Sequence, residues 1–351
     1  MERYSKNLRP CLSQLKPYVA GKGYTEITRK YGIPQERIVK LGSNENPYGP
    51  SPKVIEALRS ISSERYPETE VLMEGLARYT GYPEESIVVG TGMDGVMDTL
   101  TRIFLDKGDR VFIPTPTFSY YEILTVMSGG QPIFKERLDG YDVPTDVPRD
   151  VKMAFICSPN NPTGNQTSEN DIRRVVESTD GIVFLDEAYV EFADKSLLGL
   201  VKEYDNLVVG RTTSKAFGLA GLRLGYAVAP EWIAEQYRRA APPFFGLSCA
   251  SVAAGVAAMK DLDFMHQSVS KILSERERLT RKLNARPSQG NFLYLETKAA
   301  SGSVADSMMG KGVIIRDCRP FRGAGDHHIR VTVGTPEQND SFLEAYEEIC
   351  A

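Results

Sequence analysis

Ser86-Ile-Val-Val-Gly-Thr-Gly-Met-Asp-Gly-Val-Met-Asp-Thr-Leu-Thr-Arg-Ile-Phe104 is the stretch that decides how this chain is built. Ser86-Ile87-Val88-Val89 is a short apolar run, the pattern of a strand buried on both faces. Gly90 breaks it, and Met93, Val96, Met97, Leu100, Ile103 and Phe104 then recur at helical spacing. A buried strand that passes through glycine straight into an amphipathic helix is the building unit of an α/β fold. Outward from it the alternation continues. Strands are predicted at Arg110–Ile113, Met153–Cys157, Gly181–Leu185, Leu207–Val209 and Leu224–Ala229, with helices such as Glu169–Glu177 between several of them. Upstream, Ser51-Pro52 reads as an N-cap followed by proline at the first helical position, with Val54, Ile55, Leu58 and Ile61 at helical spacing behind it. From Pro242 the pattern changes. One long helical stretch leads to Lys282, short strands follow at Asn291–Glu296, Val313–Ile315 and His328–Val333, and a helix runs through Phe342–Ile349. The expected class is α/β. A large domain over 36–240 holds a mostly parallel central sheet, and both chain ends, 1–35 and 241–351, form a smaller α+β domain.

Bulk composition excludes several functions. The net charge of -4 gives no basic excess, so no nucleic-acid partner is expected. No apolar run approaches the roughly 18 residues of a membrane span, and Met1–Pro10 is polar and charged, without an apolar signal core. Cys11, Cys157, Cys249, Cys318 and Cys350 are scattered, with no Cys-x-x-Cys pair. They read as free thiols, and a cytoplasmic protein without a zinc site is expected. His327-His328 is poorly placed to chelate one ion, because adjacent side chains diverge; no metal is expected.

In a parallel sheet, ligands bind beyond the carboxyl ends of the strands, so the residues that follow each strand matter most. After Val89 comes Gly90-Thr-Gly-Met-Asp-Gly95, a G-x-G-x-x-G match. A dinucleotide fold would want an acidic residue at the end of the second strand, where this chain has Pro114-Thr115-Pro116. The match therefore reads either as a helix N-terminus offering N–H groups to a phosphate or as a structural glycine turn. Asp186 ends a buried strand. A carboxylate there caps a helix, joins a salt bridge, or pairs with a protonated ring nitrogen of a cofactor. Lys215 follows Thr212-Thr213-Ser214 and precedes Ala216-Phe-Gly-Leu-Ala-Gly-Leu222. An apolar setting depresses a lysine pKa and frees the amine to attack a carbonyl, whereas a lone lysine elsewhere is a solvated surface group.

Several segments together resemble the pyridoxal-phosphate (PLP) aminotransferases of fold type I, and among them the histidinol-phosphate aminotransferases. They are Leu41-Gly-Ser-Asn-Glu-Asn-Pro-Tyr-Gly-Pro-Ser51, Arg65-Tyr-Pro-Glu68, Ser158-Pro-Asn-Asn-Pro-Thr-Gly164, Asp186-Glu-Ala-Tyr-Val-Glu-Phe192, Thr213-Ser-Lys-Ala-Phe-Gly-Leu-Ala-Gly-Leu-Arg223, Gly312-Val-Ile-Ile-Arg316 and Ile329-Arg-Val-Thr-Val-Gly-Thr335. They keep the family's order across nearly the whole chain. The resemblance implies that Lys215 carries the cofactor as a Schiff base and moves a proton between substrate Cα and cofactor C4′. It implies that Asp186 pairs with the ring nitrogen, that Tyr189 and Asn161 bond the ring O3′, and that Phe118 stacks on the ring, with Ala188 on its other face. The cofactor phosphate is expected on the backbone N–H groups of Met93 and Asp94, with Thr212, Ser214 and Arg223 adding side-chain contacts. Tyr66 is expected at the neighbouring subunit's cofactor phosphate, which implies a homodimer. Arg330, Arg316, Tyr18 and Asn161 are the implied substrate-binding residues.

The implied reaction is transamination between L-histidinol phosphate and 2-oxoglutarate, a step of histidine biosynthesis. Two departures bear on it. Gly92-Met93-Asp94-Gly95 replaces the commoner Gly-Ser-Asp-Glu, and Arg319, Phe321 and Arg322 give the loop after Arg316 its own character. The rival readings are an aromatic or broad-specificity aminotransferase, a threonine-phosphate decarboxylase of the same superfamily, and a PLP-binding regulator without turnover. No appended helix-turn-helix pattern supports the last.

Overall fold

The computed structural model describes residues 7–15, 17–19 and 21–350. In chain order the elements are α1 (Tyr24–Tyr31), β1 (Val39–Lys40), α2 (Pro52–Arg59), α3 (Glu70–Thr80), β2 (Ile87–Thr91), α4 (Gly92–Phe104), β3 (Arg110–Thr115), α5 (Tyr120–Ser128), β4 (Gln131–Glu136), β5 (Met153–Cys157), α6 (Glu169–Ser178), β6 (Ile182–Asp186), β7 (Leu207–Thr212), β8 (Leu224–Val228), α7 (Glu231–Ala240), α8 (Cys249–Met259), α9 (Leu262–Leu283), β9 (Phe292–Glu296), α10 (Ser301–Gly310), β10 (Val313–Ile314), β11 (Arg316–Asp317), β12 (His328–Thr332) and α11 (Pro336–Cys350), with short 3-10 turns between some of them.

The central sheet has seven strands in the order β2-β8-β7-β6-β5-β3-β4. All run parallel except β8, which is antiparallel to both neighbours. The sheet is the mostly parallel one expected, and its inner strands are apolar because both faces are covered. On one face Met93, Val96 and Leu100 of α4, Leu124 of α5 and Ile233 of α7 pack against Phe155, Phe184 and Val208. On the other, Leu72 and Leu76 of α3 and Ile172 and Val176 of α6 pack against Ile156, Leu185 and Val209.

The C-terminal region forms the antiparallel sheet β11-β12-β9. The start of the chain is woven into it. Val39 and Lys40 pair with Val313 and Ile314, and the Leu41 carbonyl accepts the Thr332 N–H at 2.8 Å. The Ser51 cap exists as expected: its hydroxyl accepts the Lys53 N–H, with Pro52 at the first helical position. Local structure departs from the expectation in places. The single helical stretch to Lys282 is two helices, α8 and α9, parted at Lys260-Asp261. No strand is expected from the sequence at β4, and no helix at α1, α3, α5, α7 or α10, yet the structure has them. The break at Lys260 arises where Ser51 Oγ and Lys53 Nζ both bond the Asp261 carboxylate, a contact across 210 residues that local sequence does not encode.

Candidate active site

A cavity of about 250 Å³ opens at the carboxyl ends of β5, β6 and β7. The structure brings Tyr18, Met93, Asp94, Phe118, Asn161, Asp186, Tyr189, Thr212, Ser214, Lys215, Arg223, Arg316 and Arg330 together at its wall. Ala188 lines it as well, and Tyr66 lies outside it.

Lys215 stands in the turn that follows β7. That turn needs glycine at 218: its φ is +69°, and a Cβ there would lie 2.4 Å from the Gly49 carbonyl oxygen. Lys215 Nζ donates to the Ser43 carbonyl at 3.1 Å and meets no carboxylate at salt-bridge distance among the described residues. Burial, and then the charge of Arg330, lower its pKa to about 8. A neutral amine is thus within easy reach near neutral pH, which is what attack on a carbonyl requires.

Asp186 closes β6. Its Oδ1 accepts the Ala188 N–H at 3.0 Å and its Oδ2 accepts the Tyr121 hydroxyl at 2.6 Å. Burial pushes its pKa up to about 6, against the pull of those two donors. Tyr121 is wholly buried, stacked on Phe155 at 4.8 Å and edge-on to Phe118 at 5.5 Å. Sequence reading missed Tyr121; its place three residues after Phe118, on the first turn of α5, would have been the only signal. Nearby, burial pushes the Cys157 thiol up to about 12, so it is an inert wall group.

The opposite end of the cavity suits an anion. α4 begins at Gly92, and its first-turn residues Met93 and Asp94 line the wall beside Thr212, Ser214 and Arg223. Strand β8 can approach this helix start only because residue 225 is glycine: a Cβ there would sit 2.3 Å from the Met93 nitrogen. Thr212 Oγ1 bonds Ser214 Oγ at 3.0 Å, and Arg223 pairs with the Asp94 carboxylate at 2.8 Å. A helix N-terminus, two hydroxyls and a guanidinium make an anion cradle.

The third wall carries two buried arginines. Arg330 Nη1 donates to Asn161 Oδ1 and its Nη2 to the Gly42 carbonyl at 2.9 Å, while its buried Nε has no partner among the described residues. Arg316 Nη2 donates to the Val19 carbonyl at 2.6 Å, and its guanidinium lies 5.3 Å from the centre of the Phe321 ring. Burial and the neighbouring Arg330 hold Arg316 below the usual arginine range. Among the described residues neither arginine forms a salt bridge. Two adjacent desolvated cations without a counter-ion are costly unless a ligand supplies negative charge. Tyr18 stands at the mouth, edge-on to Phe118 at 6.1 Å. Tyr66 is 78% exposed and stacks on Phe244 at 4.6 Å.

The site therefore combines an amine of lowered pKa, a buried carboxylate and an anion cradle at the ends of parallel strands with two arginines of the antiparallel sheet that form no salt bridge among the described residues. The chain belongs to the class I and II aminotransferase family, whose pattern matches residues 36–345. It is 46% identical over 346 residues to a histidinol-phosphate aminotransferase of Methanosarcina mazei, covering 95% of this chain and 94% of that one. It is likewise 46% identical over 323 residues to histidinol-phosphate aminotransferase 1 of Archaeoglobus fulgidus, covering 89% and 99%. The crystal structure of histidinol-phosphate aminotransferase from Sinorhizobium meliloti in complex with pyridoxal-5'-phosphate superposes with a TM-score of 0.86 at 25% identity, over 98% of this chain and 97% of that one.

Proposed function

We propose that this protein is a PLP-dependent aminotransferase that exchanges an amino group between L-histidinol phosphate and 2-oxoglutarate, in the cytoplasm and as a homodimer. The observation that carries the reading is the pair of buried, acid-free arginines, Arg316 and Arg330, on the same cavity as Lys215. One site must accept a carboxylate in one half-reaction and a phosphate in the other, and a guanidinium fork serves both.

The donor set fits PLP. The cradle at the start of α4 would hold its phosphate, the Asp186 carboxylate its ring N–H, and Tyr189 and Asn161, which line the same cavity, would offer hydrogen bonds to its ring oxygen. PLP supplies an electron sink for the pair left on substrate Cα when a proton departs. The chain's own residues do the rest. With PLP bound, Asp186 would keep the ring nitrogen protonated, Phe118 and Ala188 would flank the ring, and Lys215, with its lowered pKa, would take up and return the proton at substrate Cα. Arg330, Arg316 and Tyr18 orient the substrate anion. The same reading keeps a large domain over 36–240 and a small one over 1–35 and 241–351, stitched together by Val39 and Lys40.

The test is direct. Protein reconstituted with PLP should be yellow, and borohydride should fix the cofactor covalently on the peptide containing Lys215. Amino donors are then compared with 2-oxoglutarate as acceptor, and histidinol phosphate should react fastest. An adduct on another lysine sinks the site assignment. Faster reaction of phenylalanine selects the broad aromatic reading, and carbon dioxide released without consumption of 2-oxoglutarate selects the decarboxylase.

A further inference from the structure

Three consecutive residues in the loop after β1 each meet a different member of the site. The Gly42 carbonyl accepts from Arg330 at 2.9 Å, the Ser43 carbonyl accepts from Lys215 at 3.1 Å, and the Asn44 side chain meets the Tyr189 hydroxyl at 3.0 Å. Asn44 is the unusual one. It is fully buried and holds a φ of +55°, a left-handed conformation that costs free energy in any residue but glycine and is best tolerated by asparagine and aspartate.

Its polar groups are all engaged. Its backbone N–H donates to Thr332 Oγ1 at 2.9 Å, and its carbonyl accepts from Asn291 Nδ2 at 3.1 Å. Thr332 Oγ1 in turn donates its own proton to Asn44 Oδ1 at 3.1 Å. The amide is thereby oriented, and Nδ2 is the atom left to face Tyr189, as donor to the phenol oxygen. The phenol proton is then not consumed by Asn44. We infer that Asn44 is a positioning residue: by donating to Tyr189 it turns the Tyr189 hydroxyl proton into the cavity, toward the cofactor oxygen, and so ties that donor to β12, the strand that carries both Thr332 and Arg330.

The inference rests on the proposed PLP site and deepens it. Asn44→Asp keeps the size, the left-handed preference and the Thr332 bond, but turns the donor into an acceptor that pulls the phenol proton away from the cavity. Asn44→Gly keeps the backbone conformation without strain and removes the amide. The other charged and titratable groups that face Tyr189 are Arg330, Cys157, Asp186 and Lys215; Asn44→Gly adds no charge beside them, whereas Asn44→Asp adds a carboxylate.

The experiment is a pH titration of the absorbance of bound PLP in wild type, both variants, Tyr189→Phe and the Asn44→Asp/Tyr189→Phe double variant. A ring oxygen that loses its donor holds the neighbouring proton more tightly, so the midpoint should rise by about one unit, a tenfold change, in Asn44→Asp, and by less in Asn44→Gly. kcat should fall about tenfold, with KM for glutamate changed less than about threefold. In the Tyr189→Phe background Asn44→Asp should add a clearly smaller shift, only that of its own new charge, because the hydroxyl the amide acts through is gone. An unmoved midpoint in Asn44→Asp overturns the inference, as does an equal shift with and without the Tyr189 hydroxyl. If Asn44→Asp does not fold, an unmoved midpoint in Asn44→Gly overturns it instead. Wild-type protein that takes up no PLP overturns the functional reading itself, which is a different result.

Discussion

At the scale of single residues, Asp186 shows how opposing effects set a working carboxylate. Burial pushes its pKa to about 6, while the Tyr121 hydroxyl and the Ala188 N–H pull it down. The cofactor's ring N–H needs the ionised form, so PLP affinity should weaken as pH falls through about 6. Removing the Tyr121 hydroxyl removes one donor to the charged form, and Asp186 then takes up its proton at higher pH. In Tyr121→Phe the acid limb of PLP binding is therefore expected to move upward by roughly one to two units, since a hydrogen bond to a charged group is worth about 1.5–3 kcal/mol. PLP titrations of apo-protein from pH 5 to 8, each compared with wild type at the same pH so that the cofactor's own phosphate titration cancels, read this directly. Coincident limbs would show that Tyr121 supports packing alone.

At the scale of elements, the sheet carries a second polar cluster on the face away from the cavity. Arg211 of β7 donates from Nε and Nη2 to the Glu187 carboxylate, at 3.0 and 2.9 Å. Glu187 also accepts from Ser196 and the Leu197 N–H. Beside this pair Glu191 accepts a 3.3 Å bond from Tyr79 of α3, and its Oε2 has no partner among the described residues. One arginine is shared by the charges of Glu187 and Glu191, and burial pushes Glu191 up to about 7. The folded state holds that proton more tightly than the unfolded chain. Its contribution to stability is fully present below about 4.5 and is lost as pH rises through about 7. Glu191→Gln has nothing to titrate. It should match wild type near pH 5 and exceed it at pH 8, by at most about 3 kcal/mol. Urea unfolding of the apo forms at both pH values measures the difference, and a constant offset would show that Glu191 is ionised in the fold.

Elements also explain what the sequence displays and what it hides. The inner strands β5, β6 and β7 are legible because they are buried on both faces and apolar along their length. β4 is an edge strand, half-exposed and interrupted by Pro132, so no periodic signal marks it. Lys215 and Asp186 are legible because the fold delivers strand ends to one place. Asn44 and Tyr121 are not, because their value lies in bonds to Tyr189 and Asp186, 145 and 65 residues away.

At the scale of the whole molecule, the exposed aromatic pair bears on assembly. Tyr66 and Phe244 lie stacked at 4.6 Å with 78% and 45% of their surfaces open, outside the chain's own cavity. Phe244 and Phe245 both hold positive φ, at +54° and +56°, so the segment presenting this pair is strained as well as exposed. Strain of this kind persists where the surroundings over-determine it, and a contiguous exposed aromatic surface marks a place where another molecule sits. In the proposed homodimer that molecule is the second copy, and Tyr66 serves the partner's cofactor phosphate. A symmetric dimer then makes a test by complementation possible. Lys215→Ala lacks the lysine but keeps Tyr66, and Tyr66→Ala lacks the tyrosine but keeps Lys215. Each homodimer should be poorly active. Each mixed dimer holds one complete site and one site lacking both residues, so mixed dimers isolated through both tags should recover about half of wild-type activity. Co-expression under separate affinity tags, tandem purification and a single-turnover assay give the count of complete sites. If Tyr66 acts within its own chain, mixed dimers contain no complete site beyond those of the parents, and the activity stays at the mean of the two homodimers.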